Sequence, residues 1–230
     1  MNKPTIKVDI VSDVVCPWCY IGKRRIEKAM TALADQFDFD VDYLPFELNP
    51  QTPKDGFNQK EYLVKKFGGA DRYNEITKYV TAVAAEEGLV FDFSKQNKSP
   101  NTRDAHRIIR FAKQEGKQVV VKEAFMKAYF EEGTDLTKNE NLVLISAKAG
   151  LNPEKVSALL TSEEGVAEII TEETMHHTRG ISGVPYYIIN NQYGISGAQP
   201  TDVFIKALTQ IGSEPVATAS DACAVDGSDC

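Results

Sequence analysis

Residues 16–19, which read Cys-Pro-Trp-Cys, stand between two runs of different character. Residues 6–15 are apolar and strand-like, and residues 20–33 have the amphipathic pattern of a helix. The first cysteine therefore falls where the strand gives way to the helix. Unpaired backbone N–H groups at a helix N-terminus favour a thiolate over a thiol. Pro17 supports the placement, because its fixed φ suits the first helical turn, where no intrahelical N–H bond is lost.

The spacing of the two cysteines indicates redox chemistry. We predict that Cys16 is the more exposed sulfur and attacks a substrate disulfide as a thiolate. Cys19 then attacks Cys16 and releases the reduced substrate, and the reverse sequence oxidises one. Pro17 and Trp18, inside this active-site loop, are expected to tune potential and access. A plain packing role is the alternative for Trp18.

A structural zinc half-site is the main alternative for a close cysteine pair. Zinc generally takes four ligands, so a second pair of Cys or His at ligand spacing is required. Cys223 and Cys230 lie in a polar C-terminal segment, and His176 and His177 are adjacent, a spacing that rarely lets two rings share one ion. The sequence therefore favours a redox-active disulfide without a metal or another cofactor.

Composition excludes several classes of function. The chain has 230 residues, of which 42% are hydrophobic, enough for one large domain or one domain with a substantial insertion. Its net charge is −7 and its pI is near 5.1, without a basic cluster, so nucleic acid is not an expected partner. No apolar run approaches a membrane span, and residues 1–5 lack a signal peptide's apolar core. We therefore expect a cytoplasmic protein without a membrane partner.

A cytoplasmic location limits the roles that Cys223 and Cys230 can have. The cytoplasm keeps ordinary thiols reduced, and disulfides that form there are usually transient and catalytic. Residues 213–230 contain acidic residues without Lys or Arg, and we expect them to form a flexible tail. Within that tail, Cys223 and Cys230 are a candidate secondary redox pair. Two incidental thiols or a weak metal site are the alternatives.

Hydrophobic periodicity predicts two α/β halves around a helical block. Residues 6–11 and 39–44 have strand patterns, and the helix between them implies a parallel βαβ unit. Residues 61–178 are mainly helical in pattern. Strand character returns at residues 186–190, in a hairpin whose connection is predicted at residues 191–194, and a last helix follows.

The residues that carry a resemblance to a known family are spread along the chain: residues 13–23, 45–50, 105–107, 128–133, 183–185 and 196–199. Together they resemble the FrnE-like branch of the DsbA family, from the first strand to about Ile211. The resemblance implies an α/β thioredoxin fold with a large all-helical insertion. The thioredoxin-like domain would comprise residues 1–55 and 179–212, and the inserted helical domain residues 56–178.

The resemblance also implies an activity and a substrate site. Members are dithiol–disulfide oxidoreductases or isomerases, so Cys16 and Cys19 would act on disulfides of proteins or small thiols, with glutathione or thioredoxin as electron donor. In thioredoxin folds the proline matching Pro185 is cis and lies beside the disulfide, where the backbone of Val184 would pair with a bound peptide. Without the resemblance, an ordinary trans proline at a strand entrance is the alternative.

Two further classes of function stay open. Related branches include kappa-class glutathione transferases and 2-hydroxychromene-2-carboxylate isomerases, whose matching active-site position is typically serine. A glutathione-dependent enzyme acting on a small molecule is therefore one alternative, and a non-enzymatic metal- or peptide-binding protein is the other. Cys19 favours the dithiol enzyme, because a glutathione enzyme needs no resolving thiol.

Other polar residues carry weaker signals. His106 has apolar helix neighbours and is interpreted mainly as a structural hydrogen-bonding residue, with a role near the substrate groove as the alternative. His176 and His177 are favourable near a helix C-terminus for electrostatic reasons alone, and proton transfer near the active site is the alternative. By resemblance, Glu47 and Asn49 line the substrate groove.

Overall fold

The central strand of the sheet leads directly into the active-site loop. In the computed structural model, which describes residues 3–214, strand β1 spans Thr5–Ser12 and is followed by helix α1, Pro17–Ala32, and strand β2, Asp38–Pro45. β1 and β2 pair in parallel along their whole lengths, from Thr5 opposite Asp38 to Ser12 opposite Pro45. The predicted βαβ unit is confirmed.

The second half of the fold comes from the end of the described chain. Strand β5, Tyr186–Ile189, pairs antiparallel with β1, and strand β6, Tyr193–Ser196, pairs antiparallel with β5. The sheet therefore has the order β2-β1-β5-β6, and helix α9, Thr201–Gly212, packs against α1. A βαβ half and a ββα half share one sheet, which confirms the predicted thioredoxin plan.

The hairpin between β5 and β6 differs from the prediction. The connection consists of residues 190–192, and the predicted turn residues Tyr193 and Gly194 belong to β6. Asn190 and Asn191 adopt φ values of 50° and 58°. Asparagine tolerates this left-handed region better than most residues, so the two asparagines together make the turn and β6 begins earlier.

A helical block lies between β2 and β5. It begins with a short ribbon strand β3, Phe57–Asn58, which pairs with β4, Lys98–Ser99. Its helices are α2 Gln59–Phe67, α3 Ala70–Glu86, α4 Arg103–Gln114, α5 Gln118–Phe130, α6 Asn139–Lys148, α7 Pro153–Leu160 and α8 Val166–Thr178. Helices α3 to α7 and the four-stranded sheet contribute to the main hydrophobic core. In the described part of the chain, no helix is long and apolar enough to cross a membrane.

Local sequence signals account for several helix boundaries. α1 has Pro17 as its first residue, where proline is favoured. α7 has Asn152 as N-cap, whose side chain accepts the N–H of Lys155 at 3.0 Å. α2 ends at Gly68, which adopts a left-handed φ of 86°.

Helix α5 closes the exposed edge of the sheet. The side-chain oxygen of Gln118 accepts the N–H of Tyr43 at 2.9 Å, and its Nε2 donates to the Tyr43 carbonyl at 3.0 Å. The same Nε2 lies 2.9 Å from Asp42 Oδ1. One amide side chain thus occupies backbone groups that an edge strand would otherwise leave unpaired. This contact fixes α5 beside the sheet.

Gly22 allows α1 to pass close to the second half of the fold. A Cβ atom at Gly22 would lie 2.3 Å from the hydroxyl oxygen of Tyr187, 3.2 Å from Cγ of Pro185 and 3.3 Å from Cβ of Ala198. Tyr187 is fully buried, so its ring has no free space into which to move. Glycine is therefore required at this position by close packing.

We expect Gly22→Ala to lower the free energy of unfolding by about 1–3 kcal/mol, the usual cost of overpacking, despite the higher helix propensity of alanine. Urea denaturation of both proteins measures the difference. Gly183→Ala is the control, because within residues 3–214 no atom other than those of its chain neighbours lies within 4 Å of its added Cβ. Equal stability of Gly22→Ala and the wild type would contradict this account of the packing.

Candidate active site

The loop after β1 places Cys16 at the first turn of α1. Cys16 is the N-cap residue, with φ −91° and ψ 113°, and its carbonyl accepts the N–H of Cys19 at 3.0 Å and of Tyr20 at 3.3 Å. The Cys16 N–H itself donates to the Asp13 carbonyl at 3.4 Å. The first sulfur therefore belongs to the residue that caps the positive end of the helix.

Both active-site cysteines are buried, and Cys16, predicted to carry the more exposed sulfur, is only slightly more exposed than Cys19. Cys16 is 4% exposed and Cys19 is 2% exposed, and the two are free thiols in this structure. The Cys16 thiol donates to the Val184 carbonyl at 3.6 Å, so the second half of the fold covers it. Burial raises the pKa of the Cys19 thiol well above its usual value, and the hydrogen bond to Cys16 adds to this. Cys19 is thus held protonated in the dithiol form.

The Val184-Pro185 segment adjoins the sulfurs, as predicted, and its peptide bond is cis. The Pro185 carbonyl accepts the N–H of Gly197 at 2.8 Å. The N–H of Val184, in contrast, makes no hydrogen bond to any residue from 3 to 214. The segment therefore offers one backbone donor beside Cys16.

Asp13 holds the active-site loop from within. Its Oδ2 accepts the N–H of Leu48 at 2.8 Å, and its Oδ1 accepts the N–H of Val15 at 3.5 Å. Burial by itself would raise the pKa of this carboxyl. Contacts with His106, the Leu48 N–H and the charge of Lys122 outweigh burial and bring the pKa below its usual value. A carboxylate is therefore buried next to the cysteine loop.

The histidines take structural positions. His106 is buried, with Nε2 3.4 Å from Asp13 Oδ1, and burial lowers the pKa of the ring, which favours its neutral form. His176 is buried near the end of α8, where burial and then the charge of Arg179 lower its pKa to about 4. His177 packs against Phe46, with ring centres 5.3 Å apart. Burial and packing favour a structural role for all three rings. The low pKa of His176 keeps its ring neutral, so the predicted electrostatic advantage of a charged histidine at a helix C-terminus does not apply to it.

Lys122, a residue that the sequence analysis did not single out, lies beneath the loop. It projects from α5, is 1% exposed, and donates through Nζ to the Ser12 carbonyl at 3.3 Å. Burial lowers the pKa of Lys122 to about 8, while Cys19, Asp13 and Cys16 oppose this shift. Among the ion pairs of residues 3–214, none includes Lys122. The signal in the sequence is a lysine within the apolar stripe of a helix.

An apolar cavity of about 120 Å³ opens beside the active-site loop. The loop contributes Val15 and Pro17 to its wall, and Asn49 also lines it. The helical block contributes Tyr62, Phe67, Ile76, Val80, Phe93 and Phe130. Nearby, the ring of Trp18 lies 6.1 Å from that of Tyr79, which is 61% exposed. The cavity is suited to an apolar group.

Glu47 does not line this cavity but belongs to a buried acid pair. Its Oε1 accepts a hydrogen bond from Nε of Arg103 at 2.8 Å, and its backbone N–H donates to Oε1 of Glu173 at 2.6 Å. Burial, and then the charge of Glu47, raises the pKa of Glu173 to about 7. The groove role that the resemblance implies for Glu47 stays a prediction.

Two further points of the sequence analysis concern a metal site and the C-terminal cysteines. Within residues 3–214, no group of three or more His, Cys, Asp or Glu side chains is placed to hold a metal ion. The proposed secondary redox pair, Cys223 and Cys230, lies outside the described residues.

Comparison with known proteins places the chain in a family. The model of the DSBA-like thioredoxin domain matches residues 7–209. The chain belongs to this family. The DsbA-like fold predicted from the sequence is therefore confirmed, with its helical block between the two halves of the thioredoxin plan.

Individual proteins resemble the chain to different degrees. A probable DsbA oxidoreductase from Streptomyces coelicolor is 34% identical, with a TM-score of 0.85 over 96% of this chain and 97% of that one. The uncharacterized protein YwbO of Bacillus subtilis is 26% identical over 89% of this chain and 96% of its own length. The cytosolic disulfide reductase DsbM of Pseudomonas aeruginosa shares the DsbA-like fold at 14% identity, with a TM-score of 0.65 over 89% of this chain and 98% of that one.

The raised pKa of Glu173 predicts a pH-dependent stability. The usual pKa of a glutamate is 4.5, whereas the pKa of Glu173 is about 7. Between these two pH values the native protein keeps a proton that the unfolded chain releases, so this group makes the free energy of unfolding fall as pH rises. Glu173→Gln keeps the oxygen that accepts the Glu47 N–H but removes the titration. We expect the free energy of unfolding of the variant, relative to that of the wild type, to increase by about 1–2 kcal/mol between pH 4.5 and pH 8, as measured by urea denaturation.

The matched control is Glu168→Gln, an exposed carboxylate on the same helix. Its difference from the wild type should change little over this interval. If the Glu173→Gln difference is the same at both pH values, Glu173 does not titrate as described.

Proposed function

We propose that the chain is a cytoplasmic thiol–disulfide oxidoreductase or isomerase of the FrnE-like branch, acting through Cys16 and Cys19. The proposal is carried by one observation: Cys16 caps the start of α1, with its sulfur 3.6 Å from the carbonyl of Val184. Its proposed substrates are disulfides and thiols of proteins or small molecules, rather than nucleic acid or a membrane. Membership of the DSBA-like thioredoxin domain family supports this assignment.

The proposed reaction uses the two sulfurs in sequence. The Cys16 thiolate attacks one sulfur of a substrate disulfide, whose S–S bond breaks as a Cys16–substrate disulfide forms and the other substrate sulfur leaves as a thiolate. Cys19 loses its proton and attacks Cys16, which releases the second substrate thiolate and leaves a Cys16–Cys19 disulfide. The substrate gains two electrons and the enzyme pair loses them.

A thiol donor must then restore the dithiol. We propose glutathione or thioredoxin in this role, without a bound cofactor. Two glutathione thiols reduce the Cys16–Cys19 disulfide and become glutathione disulfide, which balances the two electrons. The Pseudomonas aeruginosa reductase of similar fold has a structure determined with glutathione, and that pairing supports glutathione as the first donor to examine.

The segment beside Cys16 provides a surface for the substrate backbone. The Val184 N–H has no partner among residues 3–214, so an extended peptide could accept this donor as an added strand does. Pro185 follows directly and lies near α1, since its Cγ would be 3.2 Å from a Cβ at Gly22. We assign Val184 and Pro185 to substrate binding, and Pro17 and Trp18 to access around the sulfur.

The apolar cavity favours a second candidate function. A cavity beside Pro17 that is lined by aromatic and aliphatic groups could hold an apolar small molecule, as a glutathione-dependent isomerase or transferase requires. Such an enzyme needs no resolving thiol, so Cys19→Ser would leave its turnover intact. A dithiol enzyme would lose turnover in the same variant.

We predict that Cys16→Ser lowers the rate of insulin disulfide reduction by at least about 100-fold, because the attacking sulfur is gone. Cys19→Ser also loses turnover but accumulates a mixed disulfide through Cys16, because only the resolving sulfur is missing. Reduction is followed by turbidity, and the mixed disulfide is located by mass spectrometry of peptides. Both variants are made in a Cys223→Ser/Cys230→Ser background, in which the other two thiols cannot resolve the intermediate.

The background protein with intact Cys16 and Cys19 is the reference for both variants. Wild-type activity in Cys16→Ser would overturn the proposed function. Full turnover of Cys19→Ser with glutathione and an apolar electrophile would instead support the small-molecule enzyme.

A further inference from the structure

Lys122 is a buried cation whose surroundings depend on the state of the two cysteines. Its side chain is 1% exposed, and its hydrogen bond within residues 3–214 goes to a neutral group, the Ser12 carbonyl at 3.3 Å. Ser12 ends β1, directly before the active-site loop. A buried ammonium without a close carboxylate is costly unless other negative charge compensates it.

A second buried lysine provides the contrast. Lys23 is 3% exposed, but its Nζ lies 2.5 Å from Oε1 of Glu27 and 2.7 Å from Oε2 of Glu123. Its charge is therefore compensated by carboxylates, whichever oxidation state the cysteines adopt. Among residues 3–214, Lys122 has no such pair, so its compensation must come from groups at longer range.

The groups that face Lys122 come from every element around it. The titratable and charged residues are Asp13 and Cys16 of the loop, Cys19 and Lys23 of α1, Tyr43 of β2, whose ring centre is 5.8 Å from Nζ, and His106 of α4. His106 is favoured in its neutral form, and Lys23 repels the cation. Because Cys19 is held protonated, negative charge can come from Asp13 and from a Cys16 thiolate at the start of α1. Of these, only the Cys16 sulfur loses its charge when a disulfide forms.

We propose that Lys122 is a positioning residue that acts through its charge on the Cys16 thiolate of the redox pair, stabilises the dithiol state relative to the disulfide, and thereby sets the reduction potential. The inference rests on the proposed function, in that Cys16 and Cys19 form the redox pair. A thiolate near the ammonium stabilises it in the reduced protein. Disulfide formation removes that thiolate and leaves Lys122 with Asp13 alone.

The charge contacts also predict a change in proton binding. Lys122 should hold its proton more tightly in the dithiol form than in the disulfide form, because only the dithiol form supplies thiolate charge. Its pKa, lowered by burial to about 8 beside the free thiols, should fall further when the disulfide forms. Reduction of the disulfide is then accompanied by extra proton uptake at Lys122.

The direct test is the redox equilibrium of the pair with glutathione. Two glutathione thiols break the Cys16–Cys19 bond and form glutathione disulfide, and the fraction of dithiol is measured by alkylation and mass spectrometry. We expect Lys122→Met to move the equilibrium about tenfold toward the Cys16–Cys19 disulfide, which corresponds to a potential about 30 mV more negative. Lys122→Arg, which keeps the cation, should stay within about threefold of the wild type.

Lys23→Met is the matched control, because it removes a buried lysine whose charge is neutralised by carboxylates. Its equilibrium constant should stay within about threefold of the wild type. A folded Lys122→Met protein with the wild-type potential would overturn the proposal. So would equal shifts in Lys122→Met and Lys23→Met.

A measurement on the wild-type protein covers the case in which Lys122→Met does not fold. The ¹³Cε resonances of the lysines are titrated by NMR in the dithiol and the disulfide forms. We expect Lys122 to titrate at higher pH in the dithiol form, and equal titration of Lys122 in both forms would overturn the proposal. If oxidised glutathione never produces a Cys16–Cys19 disulfide, the proposed function itself fails, whereas a disulfide whose potential ignores Lys122 refutes the Lys122 proposal alone.

Discussion

The buried carboxylate of Asp13 holds the cysteine loop against two other parts of the chain. Its oxygens accept backbone N–H groups of Val15, within the loop, and of Leu48, beyond β2. It also faces His106 of α4 and the cation of Lys122 on α5. Because a buried charge must be compensated, these segments have to come together for the loop to form. The position of Cys16 at the start of α1 depends on that loop.

The helical block is accordingly part of the active site. It supplies Lys122, which donates to the Ser12 carbonyl directly before the active-site loop, and much of the wall of the apolar cavity. Its α5 is fixed in place from both sides, by Gln118 at the edge of β2 and by Glu123, which pairs with Lys23 and Arg24 of α1. A change in the packing of α5 would therefore affect the cysteines, both through α1 and through Lys122.

The sequence predicted the parts of this arrangement that depend on local pattern. Strand alternation and the proline after Cys16 were sufficient for the βαβ unit and the start of α1. The burial of Cys16 could not be predicted, because the carbonyl that covers it belongs to Val184, far away in the chain. The burial of Lys122 could not be predicted either, because the neighbouring elements decide whether a lysine in an apolar stripe is buried. Glu47 was assigned to the groove by resemblance, and in the structure its carboxylate accepts a hydrogen bond from Arg103.

The central claim is that Cys16 attacks and Cys19 resolves, although both are buried. Competitive alkylation of the reduced protein at neutral pH, with limiting iodoacetamide and peptide mass spectrometry, tests it most directly. The account predicts that Cys16 is labelled first, since it caps the helix, while burial and the hydrogen bond to Cys16 keep Cys19 protonated. Labelling of Cys19 first, or of both at the same rate, would contradict it.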